Sequence, residues 1–239
     1  MKTMKRIESS QNRPQITKII GVSFVTMLFF GLFAELVVRN RLIDWGDPEQ
    51  TVMLIRQSLA LFSAGVLAWL IVIMLDVVIA VAFHQLLSRQ GKLSALLMVS
   101  FRLLYVAIKG AAIIGLLLAR ELCALPPDNA ANATQSLAYW VMQYLTMHRL
   151  GFAIALLPFG VHLILLAGLL YRDGRVPKWL VGGLVAGGIG YSLNSLVTLL
   201  GGQDTLISAV VIALFILPMT FSELLVGLWL WLKPKTVAA

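Results

Sequence analysis

Charge is scarce in this chain of 239 residues, of which Asp, Glu, Lys and Arg make up 13%. With 59% apolar residues and a mean hydropathy of +0.90, that excludes both an ordinary soluble domain and a disordered chain. Cysteine occurs once, at Cys123, which excludes an intrachain disulfide and a cysteine-rich metal cluster. There is no H-E-x-x-H, no G-x-S-x-G and no group of neighbouring histidines, so the usual hydrolase and metalloenzyme signatures are missing. Zinc-finger, RRM and helix-turn-helix patterns are missing too, and the net charge of +8 has to be explained without nucleic acid. No metal or cofactor is expected.

Long apolar runs are present instead, and several exceed the roughly 18 residues that mark a transmembrane helix. They predict an all-α polytopic transmembrane bundle of about six helices, over 18–38, 57–87, 93–119, 150–171, 178–200 and 206–232. These form one domain between a basic N-terminal tail, 1–17, and a short basic C-terminal tail, 233–239. The tail resembles the n-region of a signal peptide. Ile19 to Val38 is too long for a signal h-region and lacks an A-x-A site, so it reads as a retained helix. Asp47, Pro48 and Gln50 form a helix start, from which a second helix runs to Leu87, about 60 Å in length. Residues 128–148 read as a loop with an amphipathic segment over 137–145, where Tyr139, Trp140 and Tyr144 suit the membrane interface. The Asn132-Ala133-Thr134 sequon carries little weight.

Charges inside the runs are the informative residues. Arg102, Tyr105 and Lys109 share one helical face. A cation at bilayer depth costs roughly 2.5–3.5 kcal/mol on insertion scales, so these need anionic or carbonyl partners, water, or an interfacial position. Candidate partners in other runs are Glu35, Asp76 and Glu223, with His162 as a further polar group. Glu35 also has Arg39 one turn on, where a local interfacial pair is an equally good account. Pro158 precedes His162 and Pro218 precedes Glu223. Each proline frees a backbone carbonyl, either as a simple kink or beside a polar pocket. Gly183, Gly187, Tyr191, Asn194 and Thr198 line one face of the fifth run. Gly183 and Gly187 permit close helix approach, within the bundle or across a homodimer.

Basic residues set the orientation. With the N-terminus cytoplasmic, the tail, the 89–92 and 172–178 turns, Lys233 and Lys235 fall inside. Arg39, Arg41, Arg56, Arg120 and Arg149 fall outside, an arrangement the positive-inside rule favours, and both termini are then cytoplasmic. Depth along the runs pairs Arg102 with Asp76 or Glu223, and Lys109 with Glu35 or Asn194.

Several stretches, in order along the chain, carry a resemblance: Glu35-Leu36-Val37-Val38-Arg39, Phe101-Arg102-Leu103, Phe159-Gly160-Val161-His162-Leu163, Gly190-Tyr191-Ser192-Leu193-Asn194-Ser195, and Glu223-Leu224 with Leu228-Trp229-Leu230. The sequence resembles domain-of-unknown-function family 4386. The resemblance implies a multi-helix integral membrane protein of the bacterial plasma membrane and implies no activity.

Three functions remain. One is binding or transport of a small molecule or lipid, through an intramembrane polar site drawn from Glu35, Arg39, Asp76, Arg102, Tyr105, Lys109, His162, Tyr191, Asn194 and Glu223. The alternative is a structural or regulatory protein whose buried ion pairs fix helix packing. An intramembrane lipid-acting enzyme using His162, Asp76 and Glu223 ranks last. Membrane lipids are the expected partners in every case.

Overall fold

A computed structural model describes residues 13–126, 131–202 and 205–233, with the side chains of 131–135 excepted. Most of the basic N-terminal tail, the C-terminal tail beyond Lys233, the sequon side chains and Gln203-Asp204 lie outside the described residues.

Helices account for all regular structure among the described residues. They are α1 (Arg13–Leu42), α2 (Pro48–Gln57), α3 (Leu59–Leu87), α4 (Lys92–Ala124), α5 (Ala131–Asp173), α6 (Lys178–Leu199) and α7 (Leu206–Leu232). All but α2 are long and apolar enough to cross a membrane, α5 from Ser136 onward. Within α1, Phe33–Arg39 is a π-helical stretch.

Two segments differ from expectation. The helix expected from Pro48 to Leu87 is broken at Ser58, whose N–H turns back to the Ile55 carbonyl while its own carbonyl accepts from Phe62. The polar first part is thus a separate helix, α2, capped by Asp47 Oδ1 accepting from Gln50 N at 2.9 Å. The loop expected over 128–148 is helical from Ala131. No proline or glycine interrupts 131–150, and the buried Ala138, Val141 and Leu145 recur at helical spacing. That face is continuous with the fourth apolar run, so α5 extends to 43 residues.

The chain folds as two compact units. The first takes the described residues up to Thr26, Leu75–Val106 and those from Ala153 on. Its core includes Phe83, Met98, Leu163, Leu166 and Leu230. Here α6 meets α7 closely: a Cβ at Gly187 would lie 2.8 Å from Ser222 Oγ and 2.9 Å from the Pro218 carbonyl. Gly183 has more room, with Ser222 Cβ at 3.8 Å. The small-residue face of α6 therefore packs on α7.

The second unit takes Met27–Met74 and Ala107–Phe152. In it α4 and α5 approach until a Cβ at Gly115 would stand 2.5 Å from the Tyr144 carbonyl. Arg56 of α2 donates to the Cys123 and Leu125 carbonyls, each at 3.3 Å, and so caps the end of α4.

Candidate functional site

The first unit holds a charged cluster centred on Arg102. Arg102, Asp76, His162 and Glu223 come from α4, α3, α5 and α7, and each lies about 14–17 Å along its helix from the nearer span end, at 1.5 Å per residue. Across a hydrocarbon core of about 30 Å that is close to the midplane. Antiparallel helices bring the four to one level because their spacings from those ends are nearly equal.

All three guanidinium nitrogens of Arg102 are engaged. Nε and Nη2 donate to Asp76 Oδ1 at 3.2 and 2.6 Å. Nη1 donates to Glu223 Oε1 at 2.5 Å. The same Nη1 lies 2.9 Å from His162 Nε2. Arginine has no acceptor, so Nε2 accepts and the imidazole proton sits on Nδ1. The Nδ1 position agrees, since it lies 2.8 Å from the Met98 carbonyl, which can only accept. His162 is thereby held between a backbone carbonyl and the guanidinium, with Glu223 Oε1 a further 3.6 Å from Nε2.

Aromatic rings close the surroundings. The Arg102 guanidinium carbon lies 5.7 Å from the Phe24 ring centre and 5.6 Å from that of Phe159. Phe159 stacks on His162, packs against Tyr105 at 4.6 Å, and meets Tyr191 edge-on at 5.2 Å. Tyr191 in turn donates to the Met219 carbonyl at 2.7 Å, tying α6 to α7 just beyond Pro218. The side chains of Arg102, Asp76 and His162 have no solvent exposure, while that of Glu223 keeps 15%. Glu223 is the only accessible member of this cluster.

The other candidate residues fall elsewhere. Lys109 lies in the second unit, its ammonium 4.5 Å from the Trp69 ring centre and 5.3 Å from that of Phe152. Glu35 accepts from Arg39 Nη1 at 2.7 Å within the π-helical stretch, both side chains part-exposed. Asn194 is part-buried in the first unit and makes no side-chain hydrogen bond among the described residues. Sequence reasoning missed Phe24, Phe159 and the Met98 carbonyl. Of these, only Phe159 had a signal, its place three residues before His162 on the same face. No three His, Cys, Asp or Glu side chains among the described residues are placed to hold a metal ion.

Residues 19–233, nearly the whole of this helical array, match a family described as Domain of unknown function (DUF4386). The chain belongs to this family. A protein of Archaeoglobus fulgidus, described as uncharacterized, is 29% identical over 168 residues, or 70% of this chain and 82% of the relative. No solved structure matches. Membership accords with an integral membrane protein of six apolar spans, and the DUF4386 description assigns no chemistry to the Arg102 cluster.

Proposed function

We propose that this protein binds or transports a small molecule or lipid in the plasma membrane of a bacterium, with both termini cytoplasmic, and that the Glu223–Arg102 contact is the part that exchanges. The observation that carries the reading is asymmetry within the cluster. Arg102 is held by carboxylates from two spans, and only Glu223 is accessible. If α7 moves and takes Glu223 with it, Asp76 still neutralises Arg102 through two donors, so no lone cation is left in hydrocarbon. Two further features support movement there: α7 is the least buried of the six spans, and Pro218 breaks its hydrogen-bond ladder five residues before Glu223.

The test is mass spectrometry of small molecules and lipids retained by protein extracted in native nanodiscs, comparing wild type with Glu223→Gln. A compound retained at constant stoichiometry by the wild type and lost from a folded Glu223→Gln variant is the expected result. Identical retained content in the two proteins would overturn the reading.

A second reading has its own support. All three guanidinium nitrogens already contact protein groups, so the cluster can serve as a fixed clamp for α3, α4, α5 and α7. Under it, Arg102→Leu combined with Asp76→Leu and Glu223→Leu keeps the fold and the cellular function.

A further inference from the structure

The charged cluster at the boundary end of the first unit plays no part in the preceding readings. We infer that it is a docking surface for the headgroup of an anionic phospholipid.

Its organiser is Asp173, a carboxylate with only 3% side-chain exposure. Asp173 accepts from Arg175 Nε at 2.9 Å and Nη2 at 2.6 Å, and also from the Gln90 side-chain amide. Arg13 lies within electrostatic reach of Asp173, Arg175 and Arg89. Arg172 bends over the turn between α3 and α4, its Nη1 3.0 Å from where a Cβ on Gly91 would be. The Gln90–Asp173 and Arg175–Asp173 contacts thus join the 88–91 and 172–177 turns at an inward-turned carboxylate, and these turns and the start of α1 carry Arg89, Arg172, Arg175 and Arg13. Charges that serve only to set topology need to lie on the correct side of the membrane; they need not converge.

Depth and chemistry identify the partner. Every residue named is at or just beyond the end of a span: Arg13 opens α1, Leu87 closes α3, Asp173 closes α5 and Lys178 opens α6. That is the level of lipid headgroups rather than of acyl chains. Tyr171 and Trp179, 62% and 66% exposed, flank the same turn as interfacial aromatics do. Guanidinium forks match the two non-bridging oxygens of a phosphodiester. A zwitterionic headgroup offers the same phosphate but brings its own cation to the cluster, so selection favours the anionic lipid.

The experiment uses full-length protein in phosphatidylcholine vesicles containing a minority of phosphatidylglycerol, with native mass spectrometry counting each lipid retained. Enrichment of phosphatidylglycerol over its vesicle fraction is expected, falling about fivefold for each arginine removed in Arg89→Gln and Arg172→Gln. Arg41→Gln, which removes an exposed charge from the second unit, should leave the enrichment unchanged. Wild-type enrichment should also weaken as salt is raised, a readout that needs no variant to fold. Retention of the two lipids in their vesicle proportions would overturn the inference, as would an equal loss in Arg41→Gln or salt-independent enrichment. None of these outcomes bears on Glu223, so this proposal and the exchange proposal fail separately.

Discussion

Arg102 and Lys109 stand two turns apart on α4, and the two units treat these buried cations differently. In the first unit Arg102 spreads its donors over Asp76, Glu223 and His162, with the Phe24 and Phe159 rings nearby. In the second, the Lys109 ammonium lies over the faces of Trp69 and Phe152. The difference follows from the side chains. A planar guanidinium presents donors in several fixed directions and can bridge three helices at once. An ammonium is a compact point charge that ring faces can surround. One helix face therefore carries a directional junction at Arg102 and ring contacts at Lys109, and substitutions should separate them.

Removing Arg102 gives the largest expected effect. Arg102→Leu leaves the Asp76 and Glu223 carboxylates without it near the midplane, and breaking a buried pair in this way costs about 3–5 kcal/mol. Thermal unfolding in detergent micelles should show a loss of that order. Arg102→Lys should recover only part of it, because an ammonium cannot reach all three partners in the directions the guanidinium does. Full recovery by lysine would show that the fork geometry is immaterial and would erase the contrast with Lys109.

The backbone approach of α6 to α7 tests whether register matters to the directional junction. Gly187→Ala puts a methyl against Ser222 Oγ and the Pro218 carbonyl, and overpacking of this kind costs about 1–3 kcal/mol. Since α7 carries Glu223, its displacement should also loosen the Arg102–Glu223 contact, seen as Glu223 becoming more accessible to carbodiimide labelling. Gly183→Ala, with 3.8 Å of clearance, should change neither reading.

These tests rest on features of unequal visibility in the sequence. Six spans were legible because apolar runs of membrane length have no other common explanation, and α1, α6 and α7 lie near their expected limits. The common level of Asp76, Arg102 and Glu223 was legible for the same reason, since counting residues from charged span ends measures depth, although that count placed them in the inner half rather than near the midplane. Depth does not choose among helices at one level, so both candidate carboxylates stood open until the fold showed Arg102 holding both. The start of α5 was missed because interfacial tyrosines and a tryptophan masked a buried face of small and branched residues. The ring faces around Lys109 were missed because an aromatic in an apolar run has no mark that separates core packing from a cation contact.

Lys109 supplies a smaller effect. A double-mutant cycle between Lys109→Met and Trp69→Leu should give a coupling of about 1 kcal/mol, the scale of a partly desolvated cation–π contact. The cycle matters because Trp69→Leu alone also removes packing. Trp69→Phe keeps a ring face and should retain most of the coupling. Coupling as large as that between Arg102 and Glu223 would mean that the ring contact at Lys109 is as strong as the buried ion pair.

The smallest effect is expected at Glu35 and Arg39, which have the shortest sequence separation and the most exposed side chains of the membrane-run pairs considered, at 34% and 41%. Their 2.7 Å contact is close to the 2.6 Å between Arg102 and Asp76, so distance alone would rank the two nearly alike. Burial separates them. An exposed pair is screened and has to immobilise two long side chains, which limits it to about 0.5 kcal/mol. A cycle of Glu35→Gln with Arg39→Gln should therefore couple by no more than that and should weaken with added salt. Salt-independent coupling of several kcal/mol would place Glu35 in a desolvated site and mark the π-helical stretch as a functional element, since such stretches recur where a helix is distorted to aim a side chain. Weak, screened coupling would leave Arg102 as the stronger charge junction of the two and the Glu35–Arg39 pair as an interfacial tie.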